Sequence, residues 1–276
     1  MKEKQSLECF FMPGERGKLF SIFYPPLNAE KSIGGILYIH PFAEEMNKSR
    51  RMTSLQAREF TKLGYAVLVI DLYGCGDSEG ELINASWNLW VRDLLKALEW
   101  LEKHCDGKII LWGLRLGALL SLQLAEETKI KIDQVILWQP TLNGSIALTE
   151  FLRITLAGNI ISKNGNKITT NDIKQQLFSG KTLELSGYDL NPELAKEINT
   201  ADILSYELST FPIHWFEVVR DISQPVSPAI NKIIDTWKMK NLDIIHKRVC
   251  CENFWSAGDI KECPALIQAT CEVVAR

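Results

Sequence analysis

Residues 109–125, IILWGLRLGALLSLQLA, form the most apolar run in the chain, and an arginine and two glycines interrupt it. A membrane-spanning helix needs ~20 mostly apolar residues, and a cation in its middle is costly. The run is therefore too short and too broken to span a bilayer. It reads instead as a buried strand, IILW, that turns through Gly113-Leu114-Arg115-Leu116-Gly117 into a buried helix. A strand feeding directly into a helix is the building block of a parallel sheet.

The same alternation recurs on both sides of this run. LFSIFYPP and GGILYIH are rich in β-formers and are separated by Pro25, Pro26 and a polar turn, which predicts an antiparallel entry followed by a core strand. After His40 the chain leaves the sheet as PFAEEMNKSRRM, where Lys48, Arg50 and Arg51 read as a solvated basic turn. TSLQAREFTKLGY then predicts an amphipathic helix stopped at Gly64, with Leu55, Phe60 and Leu63 inward. AVLVID predicts a strand buried on both faces. SWNLWVRDLLKALEWLEKH predicts a helix capped by Ser86. Further strands are predicted at IDQVILWQP, IHWFEVV and LDIIHKRVCC, and helices at NKIIDTWKMKN and PALIQATCEVVA.

Between residues 141 and 209 this rhythm breaks. Hydrophobic residues thin out and polar stretches such as SKNGNK intervene, which predicts an inserted cap over a core made of residues 1–140 and 210–276. The expected fold class is α/β: a mostly parallel central sheet flanked by helices, with right-handed crossovers.

A formal charge of −3 gives no reason to expect nucleic acid as a partner. The N-terminal residues lack the apolar core of a secretory signal. Seven cysteines, with no C-x-x-C pair, predict reduced thiols and a cytoplasmic location rather than a disulfide framework, and Cys250-Cys251 reads as buried strand material. The glycines at Gly74, Gly76 and Gly80 lack dinucleotide-binding spacing, and no metal-ligand cluster is visible; neither a cofactor nor a metal is expected. The eight tryptophans fall mostly at helix or strand spacing that points to core packing.

Three features carry a resemblance: the strand exit at His40, the D-x-x-G-x-G-D-S-x-G segment from Asp71 to Gly80, and the glycine-flanked turn Gly113–Gly117. In this order and spacing the chain resembles the α/β-hydrolase fold over nearly its whole length. HPFAEEMNKSRRM, DLYGCGDSEG and LWGLRLGALL look more narrowly like the bacterial proteins called exosortase A system-associated hydrolase 2, which also carry arginine at the turn. That resemblance implies a setting beside PEP-CTERM protein sorting and exopolysaccharide production.

In α/β-hydrolases the turn holds a nucleophilic serine as G-x-S-x-G. Here the position is Arg115, whose guanidinium stays protonated and cannot attack a carbonyl. The base normally follows the last core strand, and no histidine stands after Cys251. Asp221 lies where the orienting acid is expected, with nothing to orient. Two of three triad roles are unfilled, and triad members act as a unit.

Three readings follow. The first is a pocket centred on Arg115 that binds a small anionic or acyl ligand, with His40, Glu44, Glu45 and Leu116 as its neighbours; Glu44 or Glu45 would plug it if either paired with Arg115. In the second, an esterase or thioesterase uses Cys75, in Gly74-Cys75-Gly76, as an unorthodox nucleophile, with His40 the other weak catalytic candidate. The third is a non-catalytic scaffold for a protein partner from the same pathway.

Overall fold

The computed structural model describes residues 7–27, 32–156, 169–256 and 258–275. An eight-stranded sheet runs β1-β2-β4-β3-β5-β6-β9-β10. Its strands are β1 (Glu8–Pro13), β2 (Lys18–Tyr24), β3 (Gly34–Ile39), β4 (Tyr65–Ile70), β5 (Lys108–Leu114), β6 (Gln134–Trp138), β9 (Ile213–Val219) and β10 (Ile244–Cys250). From β4 to β10 every pairing is parallel, with Leu37 opposite both Leu68 and Leu111. β3 and β4 are buried at every residue, as continuous apolar strands covered on both faces must be.

The antiparallel entry is larger than the sequence suggested. β2 pairs antiparallel with β4, and ECFFMP forms an additional outer strand, β1, antiparallel to β2. One face of the sheet is covered by α2 (Trp87–His104), α3 (Leu116–Glu127) and α7 (Pro228–Met239), and the other by α1 (Glu44–Lys62) and α8 (Pro264–Val274). Ser86 caps α2 as its sequence indicated, its side chain accepting from the Leu89 amide.

α1 begins at Glu44, well before the predicted helix. Met46, Ser49, Met52, Thr53, Gln56, Ala57 and Phe60 recur at helical spacing and are buried, so MNKSRRM is helix and not a basic turn. Its cations are paired: Arg50 with Asp71, Arg51 with Glu262, and Lys48 with Glu44.

Within residues 141–209 the chain forms α4 (Gly144–Leu156), α5 (Thr170–Phe178), a small antiparallel pair β7 (Leu183–Leu185) and β8 (Tyr188–Leu190), and α6 (Pro192–Thr200), none of which joins the large sheet. The β7–β8 hairpin had no clear strand signal. The polar stretch SKNGNK lies outside the described residues. α6 is anchored by Asn191, which caps it at Leu194 while its side-chain amide donates to the carbonyls of Ile83 and Ala85. No helix among the described residues is long and apolar enough to cross a membrane.

The cysteines depart from expectation. Cys251 and Cys263 form a disulfide with Cα atoms 5.9 Å apart, closing the loop after β10, whereas Cys250 ends β10 exposed. The rule that scattered cysteines stay reduced does not hold for this pair, because the fold brings the two ends of a short loop together.

Candidate functional site: an occupied elbow

The turn between β5 and α3 keeps the strained geometry of a nucleophile elbow. Arg115 sits at φ 55° and ψ −117°, in the left-handed region that a non-glycine residue enters only at a cost of about 1–3 kcal/mol. The flanking glycines explain how the turn packs. A Cβ on Gly117 would lie 2.3 Å from the Ile39 carbonyl oxygen, and one on Gly113 would lie 2.3 Å from Ser121 Oγ, so α3 can approach the sheet only with both Cβ atoms missing.

What the elbow presents is a guanidinium with both sides filled. Arg115 Nε donates to Glu45 Oε1 at 3.1 Å, and Nη2 pairs with Glu150 on α4. The Trp255 ring lies 5.5 Å from the guanidinium carbon, within cation–π range. Burial works against the charge, yet Glu45 and Glu150 outweigh it and hold the Arg115 pKa above its usual value. The Glu45 pKa is raised as well, but for a carboxyl that disfavours the charge: its burial exceeds the help it gets from Arg115.

The space left beside this cluster is about 30 Å³, roughly one water's share, lined by Phe42, Leu116 and Phe151 among others. Leu116 is buried as the first residue of α3. Of the two acidic neighbours considered from sequence, Glu45 reaches Arg115; Glu44 turns toward Lys48 and accepts from the Tyr188 hydroxyl at 3.4 Å. Glu150 and Trp255 were missed. Both come from distant segments, and only their contact with Arg115 singles them out.

His40 is spent on the backbone. Leu72 N–H donates to its Nε2 at 3.2 Å, which leaves Nδ1 as the protonated nitrogen, 2.7 Å from the Pro41 carbonyl. Burial lowers its pKa despite nearby Asp71, so the ring is neutral with neither nitrogen free to take a proton from a nucleophile. His104 stacks on Trp100, and His246 pairs with Glu217 at 3.1 Å on the sheet's far edge. Asp221 is exposed and accepts from the amide and hydroxyl of Ser223, closing a local turn.

Cys75 lies beside a cavity of about 390 Å³ together with Phe42, Met46, Arg50, Leu82 and Tyr188. Its thiol pKa is pushed up to about 12, by burial first and by the Asp71 carboxylate second. A thiol in that state carries almost no thiolate at neutral pH. Among the described residues no three His, Cys, Asp or Glu side chains gather as a metal would require.

A mostly parallel sheet with an elbow between β5 and α3 is the architecture of an α/β-hydrolase. Residues 31–210, well over half of the chain, match the family described as serine aminopeptidase, S33, and the chain belongs to that family. A stretch of 112 residues, 40% of the chain, is 31% identical to the rat palmitoyl-protein thioesterase ABHD10, mitochondrial, and spans 35% of that protein's length. Among solved structures, the chain is similar to the ferulic acid-bound Est1E of Butyrivibrio proteoclasticus, with a TM-score of 0.69, 16% identity, and 96% and 97% of the two chains covered. It is also similar to a soluble variant of the Saccharomyces cerevisiae monoglyceride lipase, at TM-score 0.62 and 14% identity over 100% and 96%. Mouse α/β hydrolase domain-containing protein 10 aligns at TM-score 0.59 and 17% identity over 97% and 96%. At these identities the structural likenesses establish the fold.

Proposed function

We propose that this chain is an α/β-hydrolase homologue with a degenerate triad that binds a neutral acyl ligand without hydrolysing it. The observation that carries the reading is the occupied elbow: the nucleophile position holds a cation already paired with Glu45 and Glu150. Arg115 and three acidic side chains, Glu44, Glu45 and Glu150, line a space of about 30 Å³, so a free anion meets net repulsion there, and the anion-binding version of the Arg115 pocket is disfavoured. The larger cavity beside Cys75 is of a size used for small ligands and mixes apolar walls with a few polar groups. Similarity over 40% of the chain to a palmitoyl-protein thioesterase supports an acyl ligand class.

The thiol-esterase reading is weaker because burial keeps the proton on Cys75. The narrower motif resemblance supports a place in cytoplasmic steps of an exosortase- or exopolysaccharide-linked bacterial pathway.

Hydrolysis of p-nitrophenyl acetate, butyrate and octanoate by the purified protein, beside Cys75→Ala, tests the reading. Rates equal to buffer for both proteins are expected. Turnover lost in Cys75→Ala would replace this reading with a thiol esterase, and turnover kept in it would reveal a nucleophile elsewhere.

A further inference from the structure

Next to the Cys75 cavity, and itself open to solvent on one side, lies a second chamber of about 220 Å³ under the first turns of α1, walled by Ile22, Tyr24, Tyr38, Ser54 and Val69. Met46 and Arg50 belong to the walls of both spaces, so the two meet at these side chains. We propose that the two spaces form one bent site for a neutral acyl amphiphile, whose polar head lies in the outer cavity and whose chain passes Met46 into the inner chamber. The proposal rests on the acyl-ligand reading above and adds where the chain goes, how long it is and why the head is uncharged.

The charged groups bordering the inner chamber are occupied with one another. Arg50 Nη2 donates to Asp71 Oδ2 at 2.8 Å, and the Asp77 amide donates to the same oxygen at 3.0 Å. His40 is neutral and held by Leu72 and Pro41. What remains is a mostly apolar wall of Ile22, Val69, Ile70 and two tyrosine rings, in which the Ser54 and Thr53 hydroxyls are engaged with Tyr24 and the Ser49 carbonyl and the Tyr38 hydroxyl is the polar group left over, a lining that suits hydrocarbon. At about 30 Å³ for one water, the volume corresponds to roughly seven waters, or an acyl chain of about seven carbons.

The outer cavity differs in character. Asn47, Arg50, Asp77 and Tyr188 all border it. Tyr188 accepts from the Asn47 amide and donates to Glu44, both at 3.4 Å. Only one guanidinium nitrogen of Arg50 is committed to Asp71, and the side chain is 37% exposed, so N–H donors remain for a ligand carbonyl oxygen. The same neighbourhood holds two carboxylates, Asp71 and Asp77, against the single cation of Arg50. A carboxylate head is therefore opposed and a neutral carbonyl is favoured.

The probes are butanamide, hexanamide, octanamide and decanamide, with octanoate as the charged comparison, measured by calorimetric titration of the whole chain. Expected is a gain of about fourfold in affinity per added methylene, equivalent to ~0.8 kcal/mol for each buried CH₂. The gain should level off near eight carbons, and octanoate should bind at least tenfold more weakly than octanamide. Ser54→Phe narrows the inner chamber from the partly exposed side of α1, and it should flatten the length dependence while leaving butanamide binding intact. Binding with no length dependence in the parent chain would overturn the two-chamber site yet keep an acyl ligand in the outer cavity. Octanoate binding as tight as octanamide would overturn the neutral-head argument, and no binding of any amide would overturn both this proposal and the acyl-ligand reading. Because the length series is read on the parent chain, a failure of Ser54→Phe to fold leaves the test standing.

Discussion

Replacing Arg115 with methionine removes the cation but keeps a flexible unbranched side chain at the elbow. The Arg115 side chain is 11% exposed, Glu45 21% and Glu150 44%. Breaking a buried pair by deleting one partner costs ~3–5 kcal/mol, because the surviving charge is stranded. Glu150 can turn to solvent and contributes little, so most of the loss falls on Glu45, and a cost of about 2–4 kcal/mol is expected, or roughly 5–10 °C in Tm. The pH dependence follows from the raised Glu45 pKa, which moves higher still without Arg115. A carboxyl whose pKa is raised by folding binds more protons in the folded than in the unfolded state across the window between its two pKa values, so stability falls as pH rises through that window. Urea unfolding followed by tryptophan fluorescence should therefore show a larger deficit for Arg115→Met at pH 8 than at pH 4.5, and Arg115→Met with Glu45→Gln should recover much of it. A deficit below about 1 kcal/mol at pH 8, or one independent of pH, would refute the view that Glu45 depends on Arg115.

Arg115→Ser creates a G-x-S-x-G turn but provides no base, and p-nitrophenyl ester assays should still read at buffer rates. Asp93, buried on α2, accepts from the Glu15 amide at 2.8 Å, and burial raises its pKa to about 6. Its sign is the same as for Glu45: the carboxyl costs stability as pH rises from about 4 through 6. Asp93→Asn should thus gain on the order of 1–2 kcal/mol in urea unfolding at pH 8 and lose that gain below pH 4. Replacing both Cys251 and Cys263 with serine frees a loop of about the length for which cross-linking is worth ~3 kcal/mol, and a loss of about 2–3 kcal/mol in chemical unfolding is expected, with a change in tryptophan emission as Trp255 loosens.

The sheet was legible because its strands are short apolar runs bounded by turn residues, and in β3, β4 and β5 the only charged residue is Lys108, at the exposed start of β5. The start of α1 was not, because Glu44–Arg51 looks like a charged loop when its cations are counted first. Tracking Met46, Ser49 and Met52–Thr53 into Gln56 would have extended the helix by two turns. β1 was obscured because its outward residues are exposed and its inward ones pair only with β2. At the elbow, Arg115 and the two glycines form a local pattern, whereas Glu44 and Glu45 came forward together only because the resemblance places the loop after His40 beside the turn, with the choice between them left open. Glu150 and Trp255 could not be read in either way, since each reaches Arg115 through tertiary contact across 35 and 140 residues of chain. The disulfide was hidden for the same reason. With seven cysteines, pairing is set by where β10 and α8 place their ends, and composition carries no trace of that.

Trp255 matters for where it sits rather than for its size. The loop closed by Cys251 and Cys263 leaves the sheet at β10, borrows Lys48 through the Gly258 carbonyl and Arg51 through Glu262, and lays its indole on Arg115. Arg115 in turn holds α4 by Glu150 and α1 by Glu45. Four segments remote in sequence thus share one fastener. α4 cannot swing outward without parting Glu150 from the guanidinium, and the pair's partly exposed side lies within reach of dissolved ions. Dissolved salt that screens this pair should therefore loosen the hold of Arg115 on α4, so the tie between that helix and the sheet depends on ionic strength as well as on packing.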